Sequence, residues 1–218
     1  MTVLGRQALL LIRPLARAVP WVPLVAATGL SVAAMLPATF GAAAPDAQIW
    51  ALRIAAVLLG AGASFALVDL MAPLTMTPAP RWLQQWLRTA IAVVPATVVW
   101  LTLYLLANAS TPVALPFREL ATEAAVCFLG GLVAAAVAAR VGHSATTALA
   151  GPAVQGTMLL ATLFLTGKYS PWPLPESRHW SGVHEYWLWA LPILVSVLFA
   201  ANREVWPLRR AGPVAPKA

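Results

Sequence analysis

Charge is what this chain has least of. Only 10% of its 218 residues are charged, 14 Lys and Arg against 7 Asp and Glu, where a soluble domain carries about 25%. Water is thereby excluded as the solvent for most of the surface, and the mean hydropathy is accordingly +0.79. Cysteine is nearly absent as well. Cys127 stands alone, which excludes an intrachain disulfide and a multi-cysteine metal site and leaves a small packing residue. No G-x-x-x-x-G-K-[ST] loop occurs, so the chain does not itself hydrolyse ATP by that route. No G-x-S-x-G elbow and no His-Glu-x-x-His helix is present, which removes two common hydrolase plans. An intramembrane hydrolase would need a buried nucleophile and base. Ser64 and His143 are the nearest pair, and His143 in "ARVGHSA" reads as a solvated interfacial residue beside Arg140.

Carboxylates are scarce inside the apolar runs. Glu119 and Glu123, one turn apart beside Arg118, fall at a span end and read as an outer-rim ion-pair cluster. Proton-coupled transport calls for ionisable groups near the midplane, so a proton-driven transporter is not expected, and energy for transport would come from a partner. His179 and His184 flank Glu176 and Glu185 but lack further ligands at a firm metal spacing.

What is there is apolar length. Ala18–Ala44, Thr89–Phe117, Ala124–Ala139, Val141–Gly167 and Tyr186–Asn202 carry no Asp, Glu, Lys or Arg, and neither does the shorter Leu70–Pro80. The run between Arg53 and Asp69 reaches spanning length with its flanks. A helix crosses a bilayer in about 20 residues. Six spans are therefore expected, at 19–40, 50–71, 88–108, 119–140, 144–166 and 185–203, and the fold class is an all-α polytopic membrane protein. Short alternating strands of a β-barrel are not the pattern. "FGAAAPDA" resembles a signal cleavage site, but the apolar core before it is longer than the 7–15 residues of a signal peptide, so an uncleaved first span is expected.

The net charge of +7 would suggest nucleic acid in a soluble protein, but its placement gives a different reason. With both termini inside, ten cations (Arg6, Arg13, Arg17, Arg81, Arg88, Arg140, Arg203, Arg209, Arg210, Lys217) face the cytoplasm and four (Arg53, Arg118, Lys168, Arg178) do not. That is the positive-inside asymmetry. It predicts a multi-pass protein of the cytoplasmic membrane, with cytoplasmic termini and no nucleic-acid partner.

Residues 1–17 form an amphipathic pattern. At 100° per residue, Thr2, Arg6, Arg13 and Arg17 share one arc while Leu4, Ala8, Leu11 and Leu15 lie opposite. This predicts an interfacial helix on the inner leaflet, broken near its end by Pro14. The connection after span two, "VDLMAPLTMTPAPRWLQQWLRT", is stiffened by Pro73, Pro78 and Pro80. Asp69 is placed at its start to cap or ion-pair. Arg81, Gln84, Gln85 and Arg88 give its end a polar side, and Trp82 and Trp86 anchor it at the interface. Residues 109–117 read as a tight proline turn. The aromatic segment 167–187 is expected to dip into the outer leaflet. Small residues recur every fourth position at Ala56, Gly60 and Ser64, at Cys127, Gly131, Ala135 and Ala139, and at Ser144, Ala148, Pro152 and Gly156, a spacing that lets helices approach closely in lipid. Thr147 and Gln155 are polar at depth in the fifth span and need partners or a cavity.

This arrangement resembles the ABC-2 type exporter permeases: a flat N-terminal helix, six spans, a compact cytoplasmic turn between spans two and three, and a long amphiphilic segment before span six. More narrowly, "FALVDLMAPLTMTPAPRWLQQWLRTAI" is similar to a pattern of small actinobacterial permease-like membrane proteins. Asp69, Pro73, Thr77, Pro78, Pro80, Arg81 and Arg88 match it, while Val68 stands where the pattern has its first acid and Leu70–Met71 interrupt it. The resemblance implies an elbow helix at 1–17 and a coupling segment at 72–88 docked on a separate ATP-binding cassette subunit, which would bind ATP and Mg. In this chain Asp69, Pro73, Thr77, Pro78, Arg81 and Trp82 are the candidates for that contact. The resemblance also implies short re-entrant helices within 167–187 and a second permease chain, identical or not, with spans two and five lining the path. Ser64, Thr147 and Gln155 are the candidate path residues, and the substrate expected is hydrophobic or amphipathic: a lipid, peptide or antibiotic. The alternative is a non-transporting assembly or regulatory subunit of a larger membrane complex.

Overall fold

A computed structural model describes residues 3–40, 45–67, 81–141, 148–165 and 167–203. The described residues are helical, joined by turns, with no strand among them. Among the described residues seven α-helices follow in order: α1 Val3–Ala18, α2 Trp21–Phe40, α3 Pro45–Ser64, α4 Arg81–Ser110, α5 Phe117–Val141, α6 Ala150–Phe164 and α7 Trp180–Asn202. Five of them (α2, α3, α4, α5 and α7) are long and apolar enough to cross a membrane. With several apolar helices of this kind, the chain is a multi-pass membrane protein. The sixth expected span is represented by α6, a shorter apolar helix of 15 residues. At 1.5 Å per residue it covers about 22 Å of a hydrocarbon core about 30 Å thick. Residues 144–147 of that expected span lie outside the described residues.

The bundle is built around α3 and α5. In their apolar windows 72% and 61% of the residues are buried, against 11% in α7, so α3 and α5 form the interior and α7 a flank. Against α3 pack α2, α4, α5 and α6; against α5 pack α6 and α7 as well; α1 packs on α4. The main core joins α3 to α2, α4 and α5 through residues such as Leu52, Leu59, Ala96, Trp100 and Leu120. A second cluster, with Leu67, Leu132, Ala135 and Leu198, fills the space between α5 and α7.

Small residues make the central contact possible. A Cβ placed on Gly131 would lie 2.6 Å from the Gly60 carbonyl oxygen, and one on Gly60 would lie 2.8 Å from that of Cys127. The α3 and α5 stripes read from the sequence are thus where these backbones meet. The α6 stripe is different. Gly156 faces open space, whereas a Cβ on Gly151 would meet the Ser64 Oγ at 2.0 Å, and it is Gly151 and Gln155 that are buried. The packing face of α6 is therefore one position away from Ala148, Pro152 and Gly156. An alanine-rich helix offers small residues on every face, so spacing alone does not choose among them.

Two further expectations change. Pro14 does not end α1, which runs through it to Ala18. A proline late in a helix costs one hydrogen bond, and Leu15 beyond it is buried, which keeps the last turn in place. The stretch 81–88, read as part of a compact turn, is the first two turns of α4. That helix continues unbroken for 30 residues, past Pro95, and is about 45 Å long. Its Trp86 packs on Phe199 of α7 and Arg88 is buried, so the polar side expected there is partly turned into the protein.

Candidate functional site

The feature the fold builds with most care is a charged cluster inside α3, α5 and α7. Arg53 lies about 12 Å along α3 from its first residue, and Glu123 about 9 Å along α5. Both are 2% exposed. They form a two-pronged pair: Arg53 Nε donates to Glu123 Oε2 and Arg53 Nη2 to Oε1, each at 2.8 Å. This fork geometry fills both carboxylate oxygens and is the strongest form of such a contact. Two further guanidinium N–H groups bind backbone carbonyls. Nη1 reaches the Trp172 carbonyl at 3.2 Å and Nη2 the Pro173 carbonyl at 2.7 Å. The rings of Trp50 and Trp180 stand 5.3 and 5.8 Å from the guanidinium carbon, within cation–π range.

The third member is His184, on the first turns of α7. Its Nε2 lies 3.0 Å from Glu123 Oε1 and its Nδ1 2.7 Å from the Trp180 carbonyl oxygen. The Trp180 ring lies against the imidazole, 4.1 Å between centroids. Around Arg53 and Glu123 the packing by Leu52, Ala56, Trp100, Leu120 and Trp172 leaves no room for a water molecule. On its other side His184 borders a cleft of about 230 Å³ with Arg118, Glu119, Thr122, Ser181 and Glu185. A dry ion pair is thus separated from an open cleft by one imidazole.

The segment before α7 completes the site. Tyr169 is exposed, but Trp172 enters the main core at 2% exposure, edge-on to Trp50 at 6.2 Å. Trp187 Nε1 donates to the Pro171 carbonyl at 3.0 Å. The expected outer-rim cluster changes accordingly. The partner of Glu123 is not the adjacent Arg118 but Arg53, 70 residues away. Glu119 and Arg118 remain at the cleft. Among the described residues no group of three or more His, Cys, Asp and Glu is arranged to hold a metal ion.

The residues singled out from the sequence are dispersed. Asp69, Pro73, Thr77, Pro78 and Thr147 lie outside the described residues. Arg81 begins α4, and Trp82 beside it is 38% exposed. Ser64 and Gln155 do come together, at the junction of α3, α5 and α6. Ser64 Oγ donates to the Ala61 carbonyl, and Gln155 Nε2 donates to the Cys127 carbonyl across the gap that Gly60 and Gly131 leave. Both are closely packed there. At the opposite end of the bundle from His184, the Arg140 guanidinium holds the carbonyls of Ala201 and Arg203, as a cation does at a helix C-terminus.

Arg53 entered the sequence reading only as an outer cation, His184 only as a metal candidate lacking companions, and Trp172 was not singled out. The one available signal was a lone arginine inside an apolar run, which has to be neutralised from somewhere. No protein-family model matches this chain, and no curated protein or solved structure matches it either.

Proposed function

We propose that this chain is the membrane subunit of an ABC-type exporter, moving a hydrophobic or amphipathic substrate with energy from a separate ATP-binding cassette subunit. In this assignment the Arg140 end of the bundle faces the cytoplasm, α1 is the elbow helix, α6 with its flanks makes the sixth crossing, and residues 72–88 receive the ATPase. A second permease chain completes the path.

The observation that carries the proposal is the continuity of α4. Arg81, at the exit of the candidate coupling segment, starts a single helix that runs to Ser110, with α1 packed on it. A push on residues 72–80 would enter this rod directly and be carried across the membrane as a rigid-body movement, one of the common modes of conformational switching. The ten-to-four distribution of cations supports the orientation.

The test is to express the chain with its candidate ATPase and purify it in mild detergent. The ATPase is expected to co-purify, and charge reversal at Asp69 together with Arg81 is expected to reduce its recovery severalfold. A cysteine at Thr77 should react with a membrane-impermeant reagent only in inverted vesicles. Labelling from the external medium alone would overturn the orientation and the exporter assignment with it. Recovery of the chain in a complex without any ATPase would favour the second reading, an assembly or regulatory subunit, which the closed packing around Ser64 and Gln155 suits.

A further inference from the structure

We infer that Arg53, Glu123 and His184 form a proton-binding latch, loaded through the cleft between α5 and α7, that fastens α7 and the segment before it onto the α3–α5 core. The inference goes beyond the exporter assignment and does not depend on it.

Hydrogen-bond bookkeeping carries it. His184 Nδ1 faces the carbonyl oxygen of Trp180, which only accepts. Its Nε2 faces Glu123 Oε1, on a carboxylate that also accepts two guanidinium N–H donors. Both ring nitrogens thus point at acceptors, and both contacts are hydrogen bonds only when both nitrogens carry hydrogen. Remove one proton and the imidazole can serve one acceptor but not the other. With hydrogen kept on Nδ1, the Nε2 lone pair would stand 3.0 Å from a carboxylate oxygen, a repulsive contact that the closed arrangement does not tolerate. The closed arrangement therefore contains one more proton than neutral histidine and carboxylate supply.

The proton has a way in and charges that favour it. His184 borders the cleft, whose walls also bring Glu119 and Arg118 from α5 and Glu185 from α7 itself. From α3 the charged group facing the cluster is Arg53. Glu176, Arg178 and His179 precede α7 and, among the described residues, make no ion pair with the cluster. The two cleft carboxylates offset the second positive charge that His184 adds beside Arg53.

Losing the proton breaks the one side-chain bond from α7 to Glu123. The carbonyls of Trp172 and Pro173 stay on Arg53, but of its ties to the cluster α7 keeps at this end only the Trp180 ring against the guanidinium, while Arg140 still holds the other end. Opening is thus localised to 174–184, and acid closes it.

The experiment uses the full chain in detergent and hydrogen exchange of residues 174–184, corrected for the intrinsic pH dependence of exchange. Between about pH 5 and about pH 8, the range in which histidine changes charge, exchange of this segment should accelerate at least about tenfold as the pH rises. In His184→Gln, whose amide donates to Glu123 without titrating, the corrected profile should be flat. A flat wild-type profile, or the same slope in His184→Gln, would overturn the inference. A second measurement needs no disruptive variant: ¹⁵N NMR of the three histidines, assigned by elimination with His143→Gln and His179→Gln. His184 should give the doubly protonated signature at the acid end. A neutral tautomer throughout would refute the latch.

Discussion

At the scale of single residues, the decisive fact is that Arg53 and Glu123 are each other's solvent. A charge inside a bilayer protein is costly unless paired, and breaking such a pair from one side leaves the survivor unpaired in a dry pocket. Glu123→Ala or Arg53→Ala is expected to cost about 3–5 kcal/mol, seen as a lower unfolding midpoint in detergent. Arg53→Met combined with Glu123→Leu should recover part of that loss, because an apolar pair leaves no bare charge, although the Trp172 and Pro173 carbonyls and His184 then lose their partners. If the double variant unfolds as early as the singles, the two residues are not balancing one another. Trp172 belongs to the same unit, since its carbonyl serves the guanidinium and its ring seals the pocket.

At the scale of elements, the α3–α5 contact rests on two glycines. Gly131→Ala and Gly60→Ala each bring a Cβ to within 2.6 and 2.8 Å of a facing carbonyl oxygen. Overpacking of this kind costs about 1–3 kcal/mol, and both variants should lower the thermal midpoint. Gly156→Ala, which meets open space, is the internal control and should be neutral or slightly stabilising. Equal losses in all three would mean that glycine flexibility, not close approach, matters here. The elements themselves were legible in the sequence, because runs without Asp, Glu, Lys or Arg mark five helices clearly. What could not be read was the pairing between them. Arg53 sits three residues inside the expected start of its span and so counted as a loop cation, while its partner comes 70 residues later. The α6 face was equally hidden, since alanine and glycine occur at too many positions for a period to select one. Trp172, in a proline-rich connection, carried the same aromatic signal as a residue meant for lipid headgroups.

At the scale of the whole molecule, the two ends are held differently. One has Arg140 gripping the last carbonyls of α7; the other has the Arg53, Glu123 and His184 cluster. Under the exporter assignment, α4 links them as a lever, and softening it should uncouple the machine without dismantling it. Replacing Gln85 and Leu87 by glycine costs about 1 kcal/mol of helix stability each. ATP hydrolysis by the purified complex should then fall severalfold while the ATPase subunit stays bound. Unchanged hydrolysis would show that α4 is not the lever.

The distance between Arg53 and Glu123 along the chain also governs how the protein is made. Synthesis proceeds at about 5–20 residues per second, so the carboxylate emerges between about 4 and about 14 s after the guanidinium it must neutralise, the two being 70 residues apart. During that interval Arg53 is a cation on an apolar helix without its carboxylate, and its long side chain would reach toward the headgroup layer until α5 arrives to neutralise it.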